Sequence, residues 1–193
     1  MTAPDPIAMA SQWLDEAAAA GLAQPEAMAL ATADPAGRPS VRMVLMRGLD
    51  QAGFRFYSNR QSRKGAELAT NPRAALAFHW EPLGRQLRTE GPVTELSDAE
   101  SDAYFAGRPL ESRLGAWASD QSRPLASHEA LLERFADAAR RFADGEVPRP
   151  PHWGGYLLAP DAIEFWEHGA HRLHRRRLFT REAGGWRQQL LAP

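Results

Sequence analysis

Hydrophobic residues fall in short blocks or alternate with polar residues over much of residues 27–96 and again over residues 153–191, whereas residues 6–20 and much of residues 97–143 show helical spacing. Short apolar blocks bounded by turn residues, such as Asp34-Pro35-Ala36-Gly37, are typical of strands. The predicted strands cover residues 27–33, 41–47, 54–58, 74–80, 85–96, 153–158, 162–166, 172–179 and 186–191. The early strands follow one another closely, which predicts a β-meander at the start of the fold.

Helical patterns occupy four further segments. A proline after Asp5 begins the first helix, and Gly21 ends it. Ser97 and Glu100 form a capping-box pattern that starts another helix. The four predicted helices cover residues 6–20, 62–70, 97–107 and 127–143. Strands at both ends with helices between them predict an α+β protein around an antiparallel barrel, formed by residues 1–193 as a single domain.

The composition excludes several classes of protein and site. A formal net charge of −1 gives no reason to expect a nucleic-acid or anionic-membrane partner. The absence of cysteine excludes disulfides, thiolate metal ligands and cysteine nucleophiles. No apolar run reaches membrane-spanning length and the N-terminus shows no signal-peptide pattern, which predicts a cytoplasmic protein.

Basic residues are concentrated near the C-terminus, where six arginines between Arg172 and Arg187 accompany one acid, Glu182. If this segment is a strand, side-chain alternation puts Arg172, His174 and Arg176 on one face. Such a face suits a planar, anionic ligand. From these residues alone, a solvated basic edge strand is the simpler interpretation.

A second candidate site is Ser62-Arg63-Lys64-Gly65, at the start of a predicted helix. Free backbone N–H groups and the helix dipole favour an anion there, and the glycine would let a phosphate approach closely. The alternative is a helix start with ordinary surface charges.

Arg42 and Arg47 flank an apolar strand, but their opposite parity would not aim both at one ligand. Two phosphate sites, a bulge or a dimer contact would reconcile them, and rim arginines are the alternative.

Other residues could assist ligand binding without being specific on their own. Tyr104, Arg108 and Ser112 could supply a phosphate clamp at the end of a helix. Gln86 and the pair Gln121-Ser122 carry amides and a hydroxyl that can recognise the polar edge of a heterocycle. Such residues are common in loops, so they indicate a site only together with other evidence.

Two familiar chemistries are not expected. His168, His171 and His174 have a spacing that invites a metal interpretation. On a strand, however, His171 would face away from the others, and the adjacent arginines would repel a divalent cation. No metal site is therefore predicted, and the sequence also lacks the G-x-S-x-G pattern of a hydrolase nucleophile.

Three groups of motifs occur together in one order along the chain. They are Phe56-Tyr57-Ser58-Asn59 with Ser62-Arg63-Lys64-Gly65, Arg108-Pro109 with Gly115-Ala116-Trp117-Ala118-Ser119, and Glu164-Phe165-Trp166 with Arg172-Leu173-His174 and Arg176. From about Asp5 to Pro193 the chain thereby resembles the FMN-dependent pyridoxine/pyridoxamine 5′-phosphate oxidases. The resemblance implies an FMN-binding split β-barrel and a homodimer with two active sites at the subunit interface.

The resemblance also implies which residues form the site. The implied FMN contacts are Arg42, Met43, Val44, Leu45, Met46, Arg47, Tyr57, Ser58, Arg63, Lys64, Gln86, Gln121, Ser122, Trp166 and Arg176. Among them, Arg63 and Lys64 would hold the FMN phosphate and the glutamines would address the ring system. The implied substrate contacts are Arg47, Tyr104, Arg108 and Ser112 around the substrate phosphate, with Arg172 and His174 as catalytic residues over the pyridine ring.

The implied reaction oxidises the C4′ alcohol or amine of pyridoxine or pyridoxamine 5′-phosphate to the aldehyde of pyridoxal 5′-phosphate. Hydride passes to the flavin, and O2 accepts the electrons and leaves as H2O2. One alternative is an oxidase on the same barrel for another substrate, such as a phenazine precursor, and Tyr104, Arg108 and Ser112 argue against it. A non-catalytic flavin or pyridoxal phosphate carrier is the other, and the presence of Arg172 and His174 argues against that.

Four positions depart from the usual pattern of the family that the chain resembles. Arg47 stands where lysine is typical, which alters the reach and geometry of the charge. Arg175 replaces the customary acid, Gln24 stands before Pro25 where an acid is common, and Leu190 replaces an arginine near the C-terminus. Strand parity would place Arg175 on the face opposite Arg172 and His174, so a surface or interface ion pair is the expected site of change.

Overall fold

The computed structural model describes residues 4–193. The strands are β1 (Ala27–Ala33), β2 (Pro39–Leu45), β3 (Gly48–Asp50), β4 (Gly53–Asn59), β5 (Arg73–Trp80), β6 (Arg85–Glu95), β7 (Trp153–Leu158), β8 (Ala162–Glu167), β9 (Arg175–Glu182) and β10 (Gly185–Leu191). The helices are α1 (Pro6–Ala19), α2 (Arg63–Thr70), α3 (Asp98–Ala106), α4 (Leu110–Ala118) and α5 (His128–Arg141). Each helix among residues 4–193 is too short or too polar to span a bilayer.

All strand pairs of the sheet are antiparallel, and the sheet curls because β6, besides pairing with β5, pairs with β8 and β7 through successive stretches. Residues 85–90 of β6 pair with β8, and residues 93–95 pair with β7. Between these two stretches, a Cβ on Gly91 would lie 2.0 Å from the carbonyl oxygen of Ala159, so only glycine fits where the strand changes partner. The remaining path runs β10-β9-β8-β6-β5-β1-β2, while β4 pairs with β7 and β3. The predicted α+β class and antiparallel split barrel are confirmed.

The barrel interior is filled by aromatic and aliphatic side chains. Phe54, Phe56, Phe78 and Phe165 are fully buried there. Helix α1 closes one end, because its Trp13 packs edge-to-face on Phe165 with ring centroids 4.9 Å apart. Burying each such side chain contributes roughly 1.5–3 kcal/mol, so this core holds the strands that carry the site in place.

Helix α4 was not predicted, because Arg108-Pro109 indicated only the end of the preceding helix. Pro109 occupies the N-cap position of α4, and proline is well tolerated at the start of a helix, where the N–H groups lack intrahelical partners. The short helix is stabilised by packing on α5, where Leu114 and Ala138 are buried beside Phe135. The apolar residues of α5 therefore pack against α4. Strand β3 was also not predicted, since three residues give no periodic signal.

The prediction of a strand over residues 172–179 was wrong at its start. Strand β9 begins at Arg175, and a single 3₁₀ turn spans Ala170–Arg172. His171 and Arg172 have left-handed φ values of 57° and 64°. A Cβ on Gly169 would lie 2.0 Å from the carbonyl oxygen of Leu173, so the chain folds back on itself there. Arg172, His174 and Arg176 therefore do not share a strand face, since the alternation that would align them is interrupted.

Candidate active site

Most of the predicted site residues line one cavity of about 760 Å³, within the size range of small-molecule sites. Strands β2 and β4, helices α2 to α4 and the loop after α4 form its walls. The predicted residues that line it are Arg42, Met43, Val44, Leu45, Arg47, Tyr57, Ser58, Arg63, Lys64, Tyr104, Arg108, Ser112, Gln121 and Ser122. Met46 instead packs against the barrel core.

One end of the cavity is formed by the N-terminus of α2 and the buried Lys64. The Nζ atom of Lys64 donates to Ser58 Oγ at 3.0 Å and to Gln121 Oε1 at 2.7 Å. Burial, reinforced by the positive charge of Arg42, lowers the pKa of Lys64 to about 8. No carboxylate within the described residues forms an ion pair with Lys64. A buried ammonium without a counter-ion is well suited to an anionic ligand.

The helix start is held by local interactions. Ser62 is the N-cap of α2, and its hydroxyl accepts from the N–H of Gly65 at 3.4 Å. Gly65 itself does not face the ligand space, because a Cβ there would lie 2.1 Å from the carbonyl oxygen of Arg60. The glycine is needed for this backbone contact, and the idea that it admits a phosphate was wrong.

Arg42 and Arg63 line the same end of the cavity as Lys64. Both reach the carboxylate of Glu67 on α2, with Nε of Arg63 at 2.9 Å and Nη2 of Arg42 at 3.5 Å. The opposite strand parity of Arg42 and Arg47 does not prevent both from facing the cavity. Strand β2 ends at Leu45, so side-chain alternation does not extend to Arg47. Glu67 was not predicted as a site residue, and its spacing of four from Arg63 on one helix was the available signal.

The other end of the cavity carries a second cationic group. Arg108 stacks over the ring of Trp153 at 4.8 Å, beside the stacked rings of Tyr57 and Tyr104, whose centroids are 3.8 Å apart. Burial lowers the pKa of Arg108, and the nearby charge of Arg47 acts in the same direction. The Nη1 atom of Arg108 is buried and has no hydrogen-bond partner among residues 4–193. Trp153, which was not predicted as a site residue, shapes this end.

Five predicted residues are not among the described residues that line the cavity and lie instead on a second surface. They are Gln86, Trp166, Arg172, His174 and Arg176. Cross-strand register places Gln86 opposite Trp166, and Trp166 opposite Arg176. His174 packs on Trp166 with ring centroids 4.5 Å apart. Its Nδ1 lies 3.2 Å from the N–H of Gly169, which therefore donates to it, so the neutral imidazole carries its proton on Nε2.

The arginines of strand β9 differ in their partners. Arg176 forms a bidentate ion pair with the buried Glu164, in which Nε donates to Oε1 at 2.7 Å and Nη2 donates to Oε2 at 3.1 Å. Its Nη1 also donates to the carbonyl oxygen of Ala192. Hydrogen bonding to Glu164 raises the pKa of Arg176. Arg175 is exposed and has no ion pair within the described part of the chain, whereas Arg177 pairs with Glu167 at 2.9 Å.

Two family models match the chain over most of its length. The family model described as "Pyridoxamine 5′-phosphate oxidase" matches residues 14–140. The model described as "Pyridoxine 5′-phosphate oxidase C-terminal dimerisation region" matches residues 153–193.

Similar whole proteins include two named pyridoxine/pyridoxamine 5′-phosphate oxidase. That of Rubrobacter xylanophilus is 54% identical over 98% of this chain and 88% of the relative. That of Rhodospirillum rubrum is 53% identical over 98% of this chain and 96% of the relative. Among solved structures, PhzG from Burkholderia lata 383, in complex with tetrahydrophenazine-1-carboxylic acid, superposes with a TM-score of 0.93 at 34% identity, covering 98% of this chain and 93% of that one.

Proposed function

The chain belongs to the pyridoxamine 5′-phosphate oxidase family, and we propose that it oxidises pyridoxamine or pyridoxine 5′-phosphate to pyridoxal 5′-phosphate with FMN as cofactor and O2 as electron acceptor. The observation that carries the proposal is one cavity lined by two groups of cationic side chains. Lys64, Arg63 and Arg42 lie around the start of α2, where Glu67 pairs with both arginines, and Arg108 with Arg47 lies beside α3 and α4. Two separate groups suit two phosphate-bearing molecules, a cofactor and a substrate.

The α2 end fits the phosphate of FMN. Lys64 brings a buried ammonium that lacks a carboxylate partner within residues 4–193, and α2 adds the favourable end of its dipole. When bound, FMN would supply the redox chemistry, which is hydride acceptance from C4′ with O2 as the final acceptor and H2O2 as product. With the amine substrate, water enters the balance and ammonia is released.

The α3–α4 end fits the phosphate of the substrate. Arg108 presents a buried donor without a partner in the described chain, and Tyr104 and Ser112 line the cavity beside it. A charged substrate group is favoured there, because a desolvated guanidinium gains most from an anion.

A phenazine-precursor oxidase is the second candidate, and the 34% identity to PhzG supports it. The paired cationic ends and the 53–54% identity to the B6-vitamer oxidases favour the first.

A homodimer would complete each active site. Arg172 and His174 lie outside the cavity of their own chain, although the family resemblance assigns them to the substrate. Val41 and Met43 on β2 are 69% and 66% exposed, which is unusual for large apolar side chains beside a site. The match of residues 153–193 to a dimerisation region supports the same arrangement. We infer that the turn of one subunit covers the cavity of the other.

In that dimer the two turn residues have separate tasks. The guanidinium of Arg172 would lie against the pyridine ring and hold it in a reactive position. His174 would present its Nε2–H, because Gly169 already occupies Nδ1, and would orient the substrate as a hydrogen-bond donor.

Anaerobic mixing of the FMN-loaded protein with pyridoxamine 5′-phosphate tests the proposal. We expect the flavin absorbance to bleach, to recover when air is admitted, and to yield pyridoxal 5′-phosphate and H2O2. A flavin that stays oxidised at saturating substrate would contradict the oxidase and favour a carrier. Bleaching by a reduced phenazine precursor, but not by the B6 vitamers, would favour the second candidate.

A further inference from the structure

Glu67 is a buried carboxylate in the most cationic part of the cavity wall, and the proposed reaction does not use it. Its side chain is only 6% exposed. It stands between Arg63, one helical turn earlier on α2, and Arg42 on β2, and it is ion-paired with both. The negative charge of an acid beside a phosphate site opposes anion binding, so its presence there calls for another function.

Two hydroxyl groups hold this carboxylate in its charged form. Thr32 on β1 donates to Oε2 at 2.5 Å, and Ser40 on β2 donates to the same atom at 2.6 Å. Burial opposes ionisation, but the hydrogen bonds from Ser40, Thr32 and Arg63 outweigh it and lower the pKa of Glu67 to about 2. The carboxylate is therefore ionised throughout the neutral range.

The same network determines the position of Arg42. Its Nη1 donates to the carbonyl oxygen of Leu30 at 3.1 Å and to Thr32 Oγ1 at 2.6 Å, and its Nη2 contacts Ser40 and Glu67. Thr32 is 3% exposed and is not among the described residues that line the cavity. It can therefore influence a ligand only through the groups that it contacts.

We propose that Glu67 is a positioning residue that fixes Arg42 and Arg63 in the orientation in which they bind the cofactor phosphate. Three cations and one carboxylate leave this end with a net charge near +2, which balances the roughly −2 charge of a phosphate monoester. The inference rests on the proposed function, because it takes FMN as the ligand of this end.

Comparing FMN with riboflavin tests the proposal, because the two differ only in the phosphate. Dissociation constants are measured by flavin fluorescence with the full chain stripped of flavin. In Glu67→Gln, which keeps the shape but removes the charge, we expect FMN to bind at least about tenfold more weakly, since hydrogen bonds to charged groups are involved. Riboflavin affinity should change less than about twofold.

Thr32→Val provides a second variant, because it removes one hydroxyl from the network at nearly constant volume. We expect a smaller loss of FMN affinity, about threefold, with riboflavin again unaffected. Thr89→Val is the matched control, since Thr89 is also a buried strand threonine, but it donates to the carbonyl oxygen of Ala162. This control should leave the ratio of the two affinities unchanged, and thermal denaturation checks that each variant is folded.

The outcomes separate this inference from the proposed function. Wild-type protein that binds FMN and riboflavin equally would contradict the proposed phosphate site itself. If the wild type prefers FMN but Glu67→Gln and Thr32→Val keep that preference, only the role of Glu67 is wrong. Equal losses for both ligands would indicate a merely structural role. Tighter FMN binding by Glu67→Gln would show that the carboxylate only opposes the phosphate.

Discussion

Lys64 shows how one residue can carry much of a binding site. Its ammonium lies in the protein interior, where Ser58, Ser62 and Gln121 satisfy it with neutral oxygens. Burial disfavours the charged form, which is why the pKa falls from 10.5 to about 8. The unliganded protein thus holds a positive charge at an energetic cost, and a bound phosphate would relieve that cost.

The lowered pKa predicts how phosphate binding depends on pH. Between about pH 8 and 10.5 the unfolded chain binds more protons than the folded one at this site, so Lys64 makes the unliganded protein more stable as the pH rises through that window. Phosphate affinity runs the opposite way, because it requires the protonated amine. The preference for FMN over riboflavin should therefore be constant near pH 7 and decline above about pH 8.

Lys64→Met should lower that preference by about 10- to 100-fold, the range for hydrogen bonds to charged groups. It should also remove the decline above pH 8 and raise the thermal stability of the unliganded protein, since a desolvated charge is lost. Fluorescence titrations with both flavins between pH 6.5 and 9.5 measure the effect. A variant that retains the same decline would show that another group is responsible.

At the scale of elements, the turn between β8 and β9 is held in a demanding conformation. His171 and Arg172 both adopt left-handed φ values, which cost roughly 1–3 kcal/mol each for residues other than glycine. The neighbouring Gly169 approaches the carbonyl oxygen of Leu173 and donates to His174. The turn thereby determines where Arg172 and His174 point, and a continuous strand would orient them differently.

Gly169→Ala should therefore reduce turnover without comparable loss of FMN binding. The new Cβ would lie 2.0 Å from a backbone oxygen, so the turn must shift. A displacement of about 1 Å at a positioning group can cost on the order of 100-fold in rate. Steady-state kinetics and FMN titration give the two quantities. Gly145→Ala is the matched control, because a Cβ there meets no atom within 4 Å; parallel losses of turnover and FMN affinity in Gly169→Ala would contradict the assigned role of the turn.

At the scale of the whole molecule, the site residues of one chain fall on two surfaces. The cavity holds Lys64 and Arg108, whereas Arg172 and His174 lie on the turn outside it. A symmetric dimer can bring each surface of one subunit against the other surface of its partner, and does so twice. Each active site would then take its cationic ends from one chain and its turn from the other.

Mixing two defective variants tests this arrangement, at an FMN concentration that loads the wild type but not Lys64→Met. A heterodimer of Lys64→Met and Arg172→Ala would contain one site with both defects and one site with none. After dissociation and random reassociation, we expect recovery of about one quarter of wild-type activity, because half of the dimers are mixed and each has one intact site of two. Lys64→Met mixed with Arg108→Ala is the control and should recover nothing, since both changes lie in the cavity. Failure of the first mixture to exceed its parents would contradict a shared site.

Features that depend on near neighbours along the chain could be predicted from the amino-acid sequence. Strands β1 and β7 begin and end where the apolar blocks predict, because turn residues and side-chain alternation act locally. The N-cap at Ser62 and the capping box at Ser97 and Glu100 were equally readable. So were the candidate residues around Lys64, since they follow a local helix start.

The contacts that these residues make could be identified only in the folded chain. Glu67 acquires its role from Thr32 and Arg42, which reach it through the register of β1 on β2 and the docking of α2. The turn at Gly169 interrupts a pattern that locally fits a strand, because close backbone packing overrides alternation. Whether a carboxylate pairs with Lys64 depends on the folded arrangement, and none among the described residues does so. Burial and charge pairing depend on residues far apart in sequence, and local periodicity carries no information about which of them meet.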